Sequence, residues 1–161
     1  MERAYIAVGA NLGDREETIA EAIRRLGALG TVAAVSPLIE TPAWPDPAAA
    51  PPYLNGAIAL DTALGPHALV RGLLAVEASL GRRRSVPNAP RTIDLDLLLH
   101  GDRVIASPDL VLPHPRMHQR RFVLEPLAAI APEAVHPVWG RRLAEFLAGT
   151  AAGRARPPGN S

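Results

Sequence analysis

Apolar residues along this chain recur in two rhythms, short runs or alternations suited to strands and a three-to-four spacing suited to helices. Residues 4–10 (AYIAVGA) are short, apolar and partly β-favouring, and they end at Asn11-Leu12-Gly13-Asp14, which predicts a buried strand leaving into a turn. Asp14 is placed to cap a following helix, with Glu17 three residues on as in a capping box and Ile19, Ile23 and Leu26 at helical spacing before Gly27. Residues 31–40 read as a second strand. The segment 41–52 holds five prolines and several alanines, so it cannot continue a ladder and is expected to be a long loop. Residues 55–61 (NGAIALD) predict a third strand, and Pro66, Leu69, Leu73, Leu74, Val76 and Leu80 an amphipathic helix ending at Gly81.

After a breaker-rich loop that opens with Arg82-Arg83-Arg84, Thr92 to His100 reads as a strong strand. Gly101-Asp102 turns the chain toward a short segment at Val104-Ile105. Residues 118–131 predict a helix with Phe122, Leu124, Leu127 and Ile130 available to a core, kinked or broken at its start by Pro126, and Arg141 to Leu147 a last short helix. The Pro/Gly-rich tail 151–161 is expected to be disordered, leaving one domain over residues 1–150.

The alternation through Arg91-Thr92-Ile93-Asp94-Leu95-Asp96-Leu97-Leu98-Leu99 sends Ile93, Leu95 and Leu97 to one face and Asp94 and Asp96 to the other. Two carboxylates so placed lie roughly 6–7 Å apart, close enough to share a hard cation, and magnesium with its oxygen ligands is the natural occupant. Alone, Asp-x-Asp reads more readily as the solvated face of an edge strand. The leucines beyond it argue for burial on both faces, where an unpaired acid pair is expensive.

Charge sharpens this. All 17 basic residues are Arg, which excludes lysine chemistry and every P-loop, and leaves forked donors suited to phosphate oxygens. Arg82, Arg84 and Arg91 precede the acids, and His114, Arg116, Arg120 and Arg121 follow them. Carboxylates for a metal flanked by guanidiniums for phosphate suit transfer of a phosphoryl-type group. With a net charge of +1, no Cys and no membrane-length apolar run, a cytoplasmic protein is expected. From the residues alone, a D-x-D phosphohydrolase and a ferredoxin-like RNA-binding module stay open, as does a plain core role for Tyr53 and Phe122.

Five segments carry a resemblance: YIAVGANLGDREETI, then ETPAW with YLNGAI, the Gly81-Arg82 loop, APRTIDLDLLL, and LPHPRMHQRRFVLEPL. In order and spacing, over roughly residues 4–140, they resemble the 6-hydroxymethyl-7,8-dihydropterin pyrophosphokinase family. The resemblance implies an α+β fold, a ferredoxin-like α/β sandwich with a central, mainly antiparallel sheet and helices packed on it. It also implies a monomer that moves the terminal diphosphate of ATP to the pterin hydroxymethyl group and releases AMP. By position, it implies that Asp94 and Asp96 bridge two Mg2+ ions. Arg82, Arg84, Arg91 and Arg120 would bind ATP phosphates, Arg82 and Arg91 also stabilising developing charge, with His114 a phosphate donor and Glu77 a supporting nucleotide contact. Tyr53 and Phe122 would sandwich the pterin, Asn55 would read its edge, and Thr41, Pro42 and Trp44 would complete its recognition. The resemblance implies small-molecule partners, neither nucleic acid nor membrane. The chain departs from the family pattern at Pro87-Asn88-Ala89, where an Arg-Trp pair is common, and in the Pro/Ala run 45–52.

Overall fold

The computed structural model describes residues 1–11, 13–42, 51–81 and 93–152. Strand β1 (Glu2–Ala10) leads into helix α1 (Arg15–Leu26), β2 (Thr31–Val35), β3 (Ile39–Thr41), β4 (Tyr53–Thr62) and α2 (Pro66–Ser79). Strand β5 (Asp94–His100) follows, then a hairpin of β6 (Ile105–Ser107) and β7 (Leu110–Leu112), α3 (Arg121–Ile130) and α4 (Leu143–Ala152). The main sheet runs β2-β4-β1-β5 with β3 also on β4, and each pairing is antiparallel. With β2 and β3 counted as one interrupted strand, the order β-α-β-β-α-β and the sheet order β2-β4-β1-β5 are the ferredoxin-like arrangement, as expected.

Alternation along the strands builds two cores. One face puts Ile6 and Val8 of β1, Ile58 and Leu60 of β4, and Leu95 and Leu97 of β5 against Ile19 and Leu26 of α1 and Leu69 and Leu73 of α2. The other face packs Ala57, Leu98 and Leu99 against Met117, Val123, Leu127 and Leu143. The run Leu97-Leu98-Leu99 feeds both cores because the β1–β5 register slips between Tyr5↔Leu99 and Ile6↔Leu97, leaving Leu98 as an extra residue. Asp94 and Asp96 lie before that bulge, so strict alternation still holds for them.

Several boundaries differ from the sequence reading. The strand expected over 31–40 is two, because Pro37 has no N–H to give the ladder; Ser36 bridges the gap, its N–H donating to Ala57 O and its Oγ accepting the Ala57 N–H at 2.8 Å. Asp14 caps α1 by accepting the Glu17 N–H at 3.1 Å, whereas the Glu17 carboxylate turns to Arg24 at 2.8 Å. The helix expected over 118–131 is a 3-10 turn (Met117–Gln119), an extended Arg120, and α3; Pro126 lies inside α3 without ending it, since the bond it forgoes is to Phe122 in the first turn. The segment at Val104-Ile105 is half of the β6–β7 hairpin. The last helix starts at Leu143, not Arg141, because Arg142 pairs with Val135 in a bridge, and it runs through Ala152 on good helix formers. Of the expected tail, residues 153–161 lie outside the described residues. Among the described residues, no helix is long and apolar enough to cross a membrane.

Leu60 is fully buried in the first core. Leu60→Ala should lower unfolding free energy by about 2–5 kcal/mol, read from the shift in urea midpoint at unchanged slope.

Candidate active site

On the face turned from α1 and α2, β1 presents Tyr5, Ala7 and Gly9, so its side chains shrink toward the strand end. Register sets Gly9 opposite Asn55 on one side and Asp94 on the other, and Ala7 opposite Ala57 and Asp96. The outer members of each row stand about 10 Å apart, two strand spacings. A cavity of about 310 Å³ opens over this floor. Its lining brings together Thr41, Pro42, Tyr53, Asn55, Asp94, Asp96, His114, Arg120 and Phe122, nine residues picked out from the sequence. Arg116, Gly9 and Val123 also line it.

Each wall has a local cause. The buried Asn55 donates from Nδ2 to Thr41 Oγ1 at 2.7 Å, so the paired β3 strand orients the amide. A Cβ on Gly9 would stand 3.0 Å from Asn55 Oδ1, so the bare glycine lets that oxygen reach the floor. Phe122 enters from the first turn of α3, and the Arg120 guanidinium lies 5.8 Å from its ring centroid. The half-buried Tyr53 and Phe122 therefore belong to the cavity wall, with Phe122 also touching the second core.

The basic side is poised for an anion. The His114 N–H donates to Leu98 O at 2.9 Å, which ties its loop to β5. Burial, then the Arg120 and Arg116 guanidiniums, push the His114 imidazole down to about 4. The ring is neutral above that pH, and because its Nδ1 accepts the Arg116 N–H at 3.3 Å its proton sits on Nε2, free to be donated. Burial and Arg116 also lower Arg120, while Asp96 pulls the other way; Arg120 stays protonated, and its buried Nε has no hydrogen-bond partner among the described residues.

A second cleft, about 510 Å³, lies between α2 and the β6–β7 hairpin. Val70, Leu73, Leu74, Leu110 and Val111 form its apolar side, and it shares Asp94, Asp96 and His114 with the first. The acid pair is thus the common wall of two clefts. Glu77 lines only the second, and its Oε2 accepts the Leu95 N–H at 2.7 Å. Among the described residues no three His, Cys, Asp or Glu gather as a metal cage. Two carboxylates beside an anion-binding wall fit Mg2+, which keeps water and phosphate oxygens in its shell. Trp44, Arg82, Arg84 and Arg91 lie outside the described residues.

A ferredoxin-like sheet whose acid pair is shared by an aromatic-walled cleft and a neighbouring one suits an enzyme that moves a group between two small substrates. Residues 5–132 match the model of the 7,8-dihydro-6-hydroxymethylpterin-pyrophosphokinase (HPPK) family, and the chain belongs to that family. It is 43% identical over 151 residues to the 2-amino-4-hydroxy-6-hydroxymethyldihydropteridine pyrophosphokinase of Pseudomonas aeruginosa, covering 92% of this chain and 91% of that one. To the protein of the same name from Methylorubrum extorquens it is 40% identical over 150 residues, covering 92% and 93%. A solved wild-type HPPK-DHPS chain of Plasmodium falciparum superposes with a TM-score of 0.73 over 92% of this chain at 14% identity, a likeness of fold alone that spans 44% of that longer chain.

The depressed His114 pKa has a stability consequence. Between about 4 and the ordinary 6.5 the unfolded chain binds a proton that the folded one does not, so stability falls as pH drops through that window. His114→Gln should flatten this decline relative to the wild type, measured as urea midpoints from pH 7 to pH 4.

Proposed function

We propose that this chain transfers the terminal diphosphate of ATP to the hydroxymethyl group of 6-hydroxymethyl-7,8-dihydropterin, releasing AMP, in folate biosynthesis. The observation that carries this is the row Asn55–Gly9–Asp94, which sets an amide for a heterocycle edge two strands from an acid for a cation. The pterin lies between Tyr53 and Phe122, with Asn55 reading its edge and Thr41, Pro42 and Trp44 closing around it. The ATP base rests against the apolar side of the second cleft, and its phosphates run past Asp94 and Asp96 toward His114, Arg116 and Arg120. Arg82, Arg84 and Arg91 complete the phosphate grip, Arg82 and Arg91 also meeting the charge that builds during transfer.

Asp94 and Asp96 would hold Mg2+, two ions by the family resemblance; when bound, the metal neutralises phosphate charge and makes the β-phosphorus a better electrophile. The side chains do the rest. Arg120, through its unspent Nε–H, and His114, through Nε2–H, hold phosphate oxygens as charge shifts, and Phe122 and Val123 keep water from the transfer space. The pterin hydroxyl oxygen bonds to the β-phosphorus as its proton is lost to solvent, and the bond from that phosphorus to the oxygen bridging to the α-phosphate breaks, AMP leaving with that oxygen. We place the enzyme in the cytoplasm as a monomeric single domain, residues 1–150, acting on small molecules rather than nucleic acid or membrane. An RNA-binding module would need an open sheet face, and here α1 and α2 cover one face and α3 with the second core lies on the other.

With Mg-ATP and the reduced pterin, AMP should form only when the pterin is present; free phosphate without it would mean a phosphohydrolase instead. Asp94→Ala and Asp96→Ala should each abolish AMP formation while circular dichroism stays native. Phe122→Ala should raise the KM for the pterin roughly 5–100-fold, the range of stacking one heterocycle on an aromatic ring, with the KM for ATP little changed.

A further inference from the structure

A carboxylate is costly to bury unless it is used, and Glu77, near the end of α2, is 3% exposed. Its Oε2 accepts the backbone N–H of Leu95 at 2.7 Å. Strand β5 stands at the end of the sheet with β1 as its only sheet neighbour among the described residues. An N–H that turns away from β1 there has no ladder partner, and Leu95 is 5% exposed, packed in the first core, so little water is at hand to replace one. Glu77 supplies the missing acceptor.

Leu95 separates Asp94 from Asp96, and side chains alternate along a strand, so the tilt of the Leu95 peptide sets where both carboxylates point. We infer that Glu77 is a positioning residue: by holding the Leu95 N–H it fixes the open edge of β5 so that Asp94 and Asp96 face the shared wall of the two clefts together. Its consequence for catalysis rests on the diphosphate transfer proposed above, but the bond acts on the strand and not on the nucleotide. Supports one step behind metal-holding groups typically change metal affinity or activity about 10–100-fold when removed.

The test compares wild type, Glu77→Ala and Glu77→Gln by two readouts that need no turnover. One is the affinity for Mn2+, a paramagnetic stand-in for Mg2+, titrated by EPR with α,β-methylene-ATP present; the other is hydrogen exchange of the Leu95 amide by NMR. Glu77→Ala should bind Mn2+ about 10–100-fold more weakly and expose the Leu95 amide, with circular dichroism unchanged. Glu77→Gln keeps an oxygen acceptor of the same reach, so both readouts should stay within about threefold of wild type. If Glu77→Ala does not fold, Glu77→Asp, whose shorter carboxylate falls short of the Leu95 N–H, takes its place and should weaken Mn2+ binding and expose the amide together. Weakened affinity with a protected amide, unchanged affinity with an exposed one, or an alanine variant unchanged in both would overturn the inference. Absence of pterin-dependent AMP in the wild type would instead overturn the function, and the exchange result would still report on the Leu95 bond.

Discussion

The site depends on the antiparallel register of β1 between β4 and β5. A slip of one residue in β5 would turn Asp94 and Asp96 into the core beneath α1 and α2, and one in β1 would push Ile6 and Val8 out of it. Burying the acids there would be costly, but that cost alone cannot hold the register. The apolar set on the other face can: burying each of Ile6, Val8, Ile58, Leu60, Leu95 and Leu97 is worth about 1.5–3 kcal/mol. One face of the sheet thus holds the register that the other face uses.

The same sheet explains why two substrates can meet. The acids sit on the outermost strand, so one flank opens to the α2–hairpin cleft and the other to the floor over Gly9. The small residues at Ala7 and Gly9 leave the middle strand bare, and the bulky contributors come from outside it: Tyr53 from β4 and Phe122 from α3. The anion side is held by backbone as much as by charge, through His114 tied to Leu98 and Arg120 placed between the 3-10 turn and α3.

Much of this was legible in the residues. Strands β1, β4 and β5 and helices α1 and α2 follow from alternation and helical spacing, and the shared face of Asp94 and Asp96 follows from a period of two. What escaped depended on contacts distant in sequence. The break at Ser36-Pro37 had a local sign in Pro37, yet the strand pattern continued past it and only the bond to Ala57 shows how the gap is bridged. The hairpin of β6 and β7 is too short to show periodicity, though Pro108-Asp109 between its arms was a turn signal. The meeting of Tyr53, Asn55 and Phe122 with the acids came from family resemblance, since no local pattern joins β4 to α3. Arg116 was counted with His114 and Arg120 among the basic residues flanking the acids but was given no role of its own. Gly9 had a sign of its own, a glycine in a strand where a close approach is needed, and the bond from Glu77 to Leu95 had none.

The central claim is that the heterocycle edge lies at Asn55 and the reacting hydroxymethyl group lies toward Asp94 and Asp96. Mn2+ bound with α,β-methylene-ATP should relax the 13C-labelled hydroxymethyl carbon of the bound pterin much more strongly than its 15N-labelled 2-amino group. Equal relaxation of the two, or stronger relaxation at the amino group, would contradict the account.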